Sequence, residues 1–374
     1  MTTTAGVRCM LMRGGTSKGA YFLAEDLPQP REQRDDLLLR IMGSGDPRQI
    51  DGIGGAHPLT SKVAVVSRSG GPDADLDYLF LQLGVEEATV SDQQNCGNLL
   101  AGVGPFAVER GLIPGEARET VVRIRMVNSG SLATAHFPTP GGQVDYTGDT
   151  AISGVPGTAA AVVLDFGDTE GSATGHLLPT GNLCDHIDGI EVTCVDNGMP
   201  VVLARAADLG ITGYEPYEEL AGDEDLLDRV QALRCRAGKL MGLGDVTGAS
   251  IPKTTLVAAP RDGGTISTRT FIPVRPHTSI GVLGAISVVT ALAIPGAAGA
   301  ELAAPPAGVR YDVEHASGHL EVEAEIDTSG KIPHVRRCGV VRTARKLFDG
   351  TVFPRLGFPR SSDKAGAADG LTAA

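Results

Sequence analysis

The apolar residues of this chain follow two distinct patterns. Gly97 to Val108 (GNLLAGVGPFAV) and Ile280 to Ile294 (IGVLGAISVVTALAI) are apolar on every side, whereas a helix on a protein surface shows a single apolar stripe. Each stretch therefore predicts an internal helix enclosed by sheet. The first ends at Glu109, Arg110 and Gly111, a basic last turn and C-cap, and Pro105 is expected to kink or shorten it. The second stops at Pro295-Gly296. Around them lie short alternating segments of strand type: LDYLFLQL (Leu76 to Leu83), VVRIRMV (Val121 to Val127), IEVTCV (Ile190 to Val195), TISTRTFI (Thr265 to Ile272) and LEVEAEI (Leu320 to Ile326). Many short strands and few helices predict antiparallel or mixed sheets in an α/β protein, not a Rossmann alternation.

The order of these features repeats. GGTSKGAYFLAEDL (Gly14 to Leu27), SKVAVV (Ser61 to Val66) and NCGNLLAGVG (Asn95 to Gly104) succeed one another in the first half. In the second, DNGMPVVLARAADL (Asp196 to Leu209), PKTTLVA (Pro252 to Ala258) and HTSIGVLGA (His277 to Ala285) follow in the same order, with about 80 residues from the first motif to the third in both halves. Each half reads as a turn of small residues feeding a strand, a Lys opening another strand, and a polar cap on an apolar helix. This predicts a duplicated fold with two helix N-termini facing one cleft and a boundary between Thr180 and Gly189. The expected domains are 1–185, carrying Lys62 and Cys96, and 186–359, with the last strand packing back on the first domain. Residues 360–374 (RSSDKAGAADGLTAA) are expected to form a mobile tail.

Composition narrows the function classes. The 374 residues include 50 Gly and 23 Pro yet are 42% hydrophobic, and 32 Lys plus Arg against 45 Asp plus Glu give a net charge of −13. A collagen period and wholesale disorder are excluded, and dispersed acidity argues against a nucleic-acid partner. Six Cys without a CxxC pair point to free thiols in a reducing compartment, and no apolar h-region opens the chain, so a cytoplasmic location is expected. The uncharged run from Pro276 to Ala300 is broken by Gly, Ser, Thr and Pro and falls short of a membrane span of roughly 20 residues.

Helix N-termini carry partial positive charge and amide donors, so two of them define a site for a carboxylate-bearing ligand. Arg13, Lys18, Lys62, Lys253 and Arg275 flank the repeated motifs and can add charge; the competing reading of any one of them is a solvated surface cation. Cys96 precedes the first internal helix, where dipole and amides favour an anion, against the plain alternative of a small buried hydrophobe. Lys62 opens an apolar strand, so its ammonium is placed for partial desolvation; a snorkelling structural Lys is the alternative. GGTSKG lacks Walker spacing and is left as a carboxylate-binding turn. His176, Cys184, His186 and Cys194 show no metal-ligand spacing, and neither a metal nor another cofactor is expected. No His is placed by spacing to activate a Ser.

Taken together, MRGGTSKG, GGAHPLTSKVAVV and QNCGNLLAGVGPFAVERG resemble the PrpF-type isomerases of the diaminopimelate-epimerase superfamily. With DPRQIDGIGG, DADLDYLFLQ, LLPTGN, VDNGMPVVL, GITGYEP, RTFIPVRPHTSIGVLGA and VRTARKLFDG added, the sequence is similar to the branch of that family acting on 4-oxalomesaconate in gallate and lignin-derived aromatic breakdown. The likeness runs from about Val7 to Gly350. It implies two pseudo-symmetric domains, each a curved, barrel-like mixed sheet around a central helix, and cofactor-independent proton transfer at carbon. It implies Lys62 and Cys96 as the catalytic pair. Arg13, Thr16, Ser17, Lys18, Asn95, Gly97, Asn98, Arg275, Thr278 and Ser279 are then the substrate-binding set for a small polycarboxylate. Epimerases of the superfamily carry a second Cys where this chain has Thr278-Ser279, which argues against amino-acid epimerisation. The alternatives are 2-methylaconitate cis-trans isomerisation, a non-catalytic carboxylate-binding accessory protein, and a cysteine hydrolase. A membrane partner is not expected, and a homodimer is compatible with the sequence.

Overall fold

The computed structural model describes residues 6–93, 96–167, 169–330 and 333–356. Asn95 and the expected tail 360–374 lie outside the described residues. Grouped by contact, the chain forms two compact units: Met1–Ser131 with Thr139–Tyr146 and Ala344–Ala374, and Leu132–Pro138 with Thr147–Thr343. A boundary at 185/186 is drawn along the chain, whereas these units are drawn by contact and gather segments distant in sequence.

The first unit contains strands β1 (Val7–Gly14) and β2 (Ser17–Leu23), helix α1 (Arg31–Met42), strands β3 (Lys62–Arg68), β4 (Leu76–Leu83) and β5 (Val90–Ser91), helix α2 (Gly97–Glu109) and strand β6 (Glu119–Met126). The pairings are β1 with β2 antiparallel, β2 with β3 parallel, β3 with β4 antiparallel and β4 with β6 parallel, with β5 beside β4. Alternation along these strands fills both faces. Val7, Cys9, Ala20, Phe22, Val63, Val65, Leu81 and Leu83 pack with Leu38, Ile41 and Met42 of α1. The other face meets α2, which contacts β1 to β4.

The second unit repeats the plan. Strands β7 (Leu132–Pro138), β8 (Ala161–Phe166), β9 (Asp185–Ile187), β10 (Ile190–Asp196) and β11 (Pro200–Arg205) are followed by helices α3 (Tyr217–Gly222) and α4 (Glu224–Leu240). Then come β12 (Lys253–Ala258), β13 (Ile266–Phe271), α5 (Val282–Leu292), β14 (Arg310–His315), β15 (Gly318–Asp327) and β16 (His334–Val352), whose residues from Ala344 onward belong to the first unit. Strands β10 to β14 pair antiparallel, parallel, antiparallel and parallel, the sequence found for β1, β2, β3, β4 and β6. One helix on each sheet face recurs too: α4 packs on Val192, Cys194, Val202, Ala204 and Leu256, while α5 contacts β10, β11 and β15. The duplication read from the sequence is therefore present as topology. Both repeated lysines open their strands, Lys62 on β3 and Lys253 on β12.

Differences from the sequence expectations are local. Pro105 sits inside α2 without ending it, because buried neighbours on every side hold the helix to Glu109, where Gly111 takes a left-handed conformation at φ +70°. The first residue of α5 is Val282 and its N-cap is Gly281, so Thr278 and Ser279 precede the helix instead of capping it. Helix α4 was not among the expected elements. Its apolar residues Leu226, Leu227, Val230, Leu233 and Ala237 form an ordinary surface stripe, and Asp223 caps it by accepting from Leu226 N at 2.9 Å. No helix of the described residues is long and apolar enough to cross a membrane.

Candidate active site

Lys62 and Cys96 are both tied to one face of β4. In register, Lys62 stands opposite Gln82, Ala64 opposite Phe80 and Val66 opposite Tyr78. Since Val63, Val65, Leu81 and Leu83 occupy the α1 side, alternation puts Lys62, Tyr78, Phe80 and Gln82 on the side of α2. Lys62 is buried, and its Nζ donates to Gln82 Oε1 at 2.9 Å and lies 5.0 Å from the Phe80 ring centroid. Among the described residues it makes no ion pair. Two residues along the same face of β4, Tyr78 sends its hydroxyl to the carbonyl of Cys96 at 3.2 Å.

Cys96 is the N-cap residue of α2, 8% exposed, and its side chain takes no amide of the first turn, leaving the sulfur uncommitted there. Its carbonyl also accepts from Leu100 N at 3.1 Å. A second tyrosine fixes the same turn: Tyr21 OH donates to Leu99 O at 2.6 Å, and its ring packs at 5.6 Å from that of Phe106. Burial first, then the proximity of Cys96, push both phenols well above their ordinary range, so they remain neutral donors.

The GGTSKG turn sits on the head of α2. Gly15 has φ +50°, and a Cβ there would fall 2.3 Å from Asn98 Oδ1, so only glycine allows the approach. Asn98 Nδ2 donates to Thr16 Oγ1 at 3.1 Å. Ser17 is buried and its Oγ has no hydrogen-bond partner among the described residues. A Cβ on Gly97 would meet nothing of the described residues within 4 Å. Thr16, Ser17, Cys96, Gly97 and Asn98 are thus gathered at one helix end. Arg13 and Lys18, opposite each other in register, project to the other face of the sheet: Arg13 Nη1 donates to Gly15 O at 2.9 Å, and Lys18 Nζ lies beside Gly55. Burial and the neighbouring Arg345 lower the Arg13 pKa.

Within the second unit, Arg275 is exposed and donates to Ala221 O at 3.3 Å, and Thr278 is exposed. Ser279 Oγ lies 3.2 Å from His315 Nε2, a partner 36 residues away that spacing did not reveal. His315 Nδ1 faces the Ser317 amide at 3.3 Å, which makes Nδ1 the acceptor and Nε2–H the donor toward Ser279. Burial and the nearby His319 hold the imidazole down at about 4. It orients the Ser279 hydroxyl and does not activate it as a nucleophile. The roles of Arg275, Thr278 and Ser279 rest on the resemblance alone. His57 is exposed and caps the 3-10 turn Pro58–Thr60 through its Nδ1 and Leu59 N. Lys253, the echo of Lys62, has its pKa lowered by burial and by Arg234.

A family model described as PrpF protein matches residues 4–355. The chain belongs to the PrpF family. Among curated proteins, it is 56% identical over 347 residues to a (4E)-oxalomesaconate Delta-isomerase of Novosphingobium sp., covering 92% of this chain and 96% of that protein. It is equally 56% identical, over 348 residues, to a 4-oxalomesaconate tautomerase of Pseudomonas putida, covering 92% and 95%. Among solved structures, a methylitaconate-delta-isomerase superposes with a TM-score of 0.84 at 32% identity, covering 94% of this chain and 96% of that one. The PrpF resemblance read from TSK, CGN and the surrounding motifs is thereby confirmed, and so is the fold class. Sequence reasoning did not single out Gln82, Tyr78, Phe80 or His315. The first three lie at alternate positions of LDYLFLQL counted from Leu76, where a strand reads simply as core.

Proposed function

We propose that this PrpF chain is a cofactor-independent isomerase that moves a proton across three carbons of 4-oxalomesaconate. The observation that carries the reading is the shared face of β4, which holds the Lys62 amine through Gln82 and the head of the Cys96 helix through Tyr78. The 56% identity to proteins named for 4-oxalomesaconate supports that substrate over 2-methylaconitate, the runner-up within the class.

Chemically, the substrate CH2 lies between a ketone and an unsaturated carboxylate, so losing one proton leaves a dienolate delocalised over both. Lys62, as the free amine, takes that proton and becomes the ammonium. Cys96 delivers a proton at the far end of the dienolate, leaving the thiolate, and solvent restores both groups. Amides at the head of α2 stabilise the developing charge, with Thr16, Ser17 and Asn98 holding carboxylate oxygens. The unpartnered Ser17 hydroxyl supports a polar ligand at this turn, since buried hydroxyls ordinarily find a partner. Unpaired cysteines at 9, 96, 184, 194, 235 and 338 support a reducing, cytoplasmic setting. The test is kcat/KM measured in parallel on 4-oxalomesaconate and 2-methylaconitate. Preference for the first is expected; preference for the second transfers the mechanism to the other substrate, and turnover of neither sinks the isomerase reading.

A further inference from the structure

Gln82 is held in a way that a core glutamine does not require. Its Nε2 faces three backbone carbonyls, Pro58 O and Ser61 O at 3.1 Å each and Leu83 O at 3.3 Å. A flipped amide would turn its oxygen against those carbonyls and its NH2 against an ammonium, so the orientation is fixed: Oε1 must point at Lys62 Nζ. The carbonyls themselves are anchored. Ser61 is fully buried, its Oγ donates to Gln49 Oε1 at 2.6 Å, and Gln49 Oε1 also accepts from Ala56 N at 2.8 Å. Gln49 takes φ +45° and Ala56 φ +57°, conformations costly for residues with a Cβ. An ordered chain thus runs from the Gln49 loop through Ser61 and Gln82 to the Lys62 amine.

We propose that Gln82 is a positioning residue for the proton shift, aiming the Lys62 amine through a neutral acceptor where a carboxylate of the same size would trap it as an ion pair. This rests on the reading of Lys62 as the base. A base that must shed its proton every turnover is served by an acceptor that orders both the charged and the free amine. A carboxylate orders only the charged form. Among the described residues, the titratable groups on the same side of β2, β4 and the head of α2 are Tyr21, Tyr78 and Cys96. Lys18 projects to the other face of β2, and Asp77 of β4 is engaged by Arg125 at 2.9 Å. No carboxylate of the described residues pairs with Lys62.

The experiment compares wild type with Gln82→Glu, Gln82→Met and Lys62→Met, as full-length protein, by kcat and KM on 4-oxalomesaconate across pH. In parallel, Nε-methylene NMR of the seven lysines is recorded, with the Lys62 resonance assigned by its loss in Lys62→Met. For Gln82→Glu, kcat near neutral pH should fall at least about tenfold with KM little changed. The rising limb of its kcat profile and the Lys62 titration should both move upward by about one pH unit or more. Gln82→Met covers the case in which the new carboxylate disrupts folding, checked by circular dichroism; it should lower kcat without that displacement. Wild-type kcat and an unmoved profile in Gln82→Glu overturn the proposal, as does full activity in Gln82→Met. The two readings separate cleanly. If Lys62→Met keeps activity, the base assignment fails; if it is inactive while both Gln82 variants behave as wild type, only the role of Gln82 fails.

Discussion

Gly102 of α2 opposes two effects that can be weighed against each other. On an unhindered helix, replacing Gly by Ala stabilises by about 1 kcal/mol through propensity. Here a Cβ would lie 2.5 Å from the Tyr21 hydroxyl and 2.8 Å from Cζ, on a ring that is fully buried, packed against Phe106 and bonded to Leu99 O. Tyr21 must move, which costs about 1–3 kcal/mol in overpacking. It also loses a buried hydrogen bond, leaving unsatisfied groups at about 1–3 kcal/mol. After the propensity gain, Gly102→Ala should destabilise by about 2–3 kcal/mol, lowering the urea midpoint by about 1 M at an m-value near 2 kcal/mol/M, followed by far-UV circular dichroism. Because the hydroxyl is the nearest atom, Tyr21→Phe should relieve part of the clash. The double variant should then be more stable than the summed single effects by about 1 kcal/mol. A Gly102→Ala protein as stable as wild type, or strict additivity with Tyr21→Phe, would refute the claim that this turn of α2 is set by Tyr21.

Other perturbations follow from the same geometry. Arg234 is fully buried and donates to Val246 O, Thr247 O, Ala249 O and Ile251 O, so Arg234→Met should cost about 3 kcal/mol by removing four buried hydrogen bonds at once. Calorimetry should show that Arg234→Lys restores only part of it, since an ammonium lacks the fork. His315 is held at about 4 in the folded chain against an ordinary 6.5. The unfolded chain therefore binds the extra proton between those values, and stability falls as pH drops through that window. His315→Gln should flatten this loss in melting curves recorded from pH 7 to 4. Asn98→Ala should raise KM for the tricarboxylate more than it lowers kcat, because it frees the Thr16 hydroxyl; a pure kcat effect would contradict a binding role.

How far the sequence reached depends on the kind of signal. The two internal helices were readable because an all-apolar run has few other homes, and β4 was predicted residue for residue from Leu76 to Leu83. The duplication was readable from motif order, and the pairing pattern of β10 to β14 bears it out. Helix α4 escaped because attention to all-apolar runs passes over a conventional stripe, and the capping of α5 was misplaced because Thr278 and Ser279 look like caps but stand before Gly281. At the site, Cys96, Gly97, Asn98, Thr16 and Ser17 were found together as motifs. Arg13 and Lys18 were grouped with them by proximity in sequence, yet neighbours along a strand alternate faces. Gln82 and His315 carry no motif at all; their meaning lies in partners 20 and 36 residues away.

The central claim is that Lys62 and Cys96 move one proton along the substrate. It is tested most directly by proton NMR of 4-oxalomesaconate in D2O with wild type, Lys62→Met and Cys96→Ala. Wild type should move the double bond and place deuterium on the substrate carbons. Each variant should lose at least about a hundredfold in that rate, the scale of a missing general acid or base. Full conversion with unaltered deuterium incorporation in both variants would contradict the account.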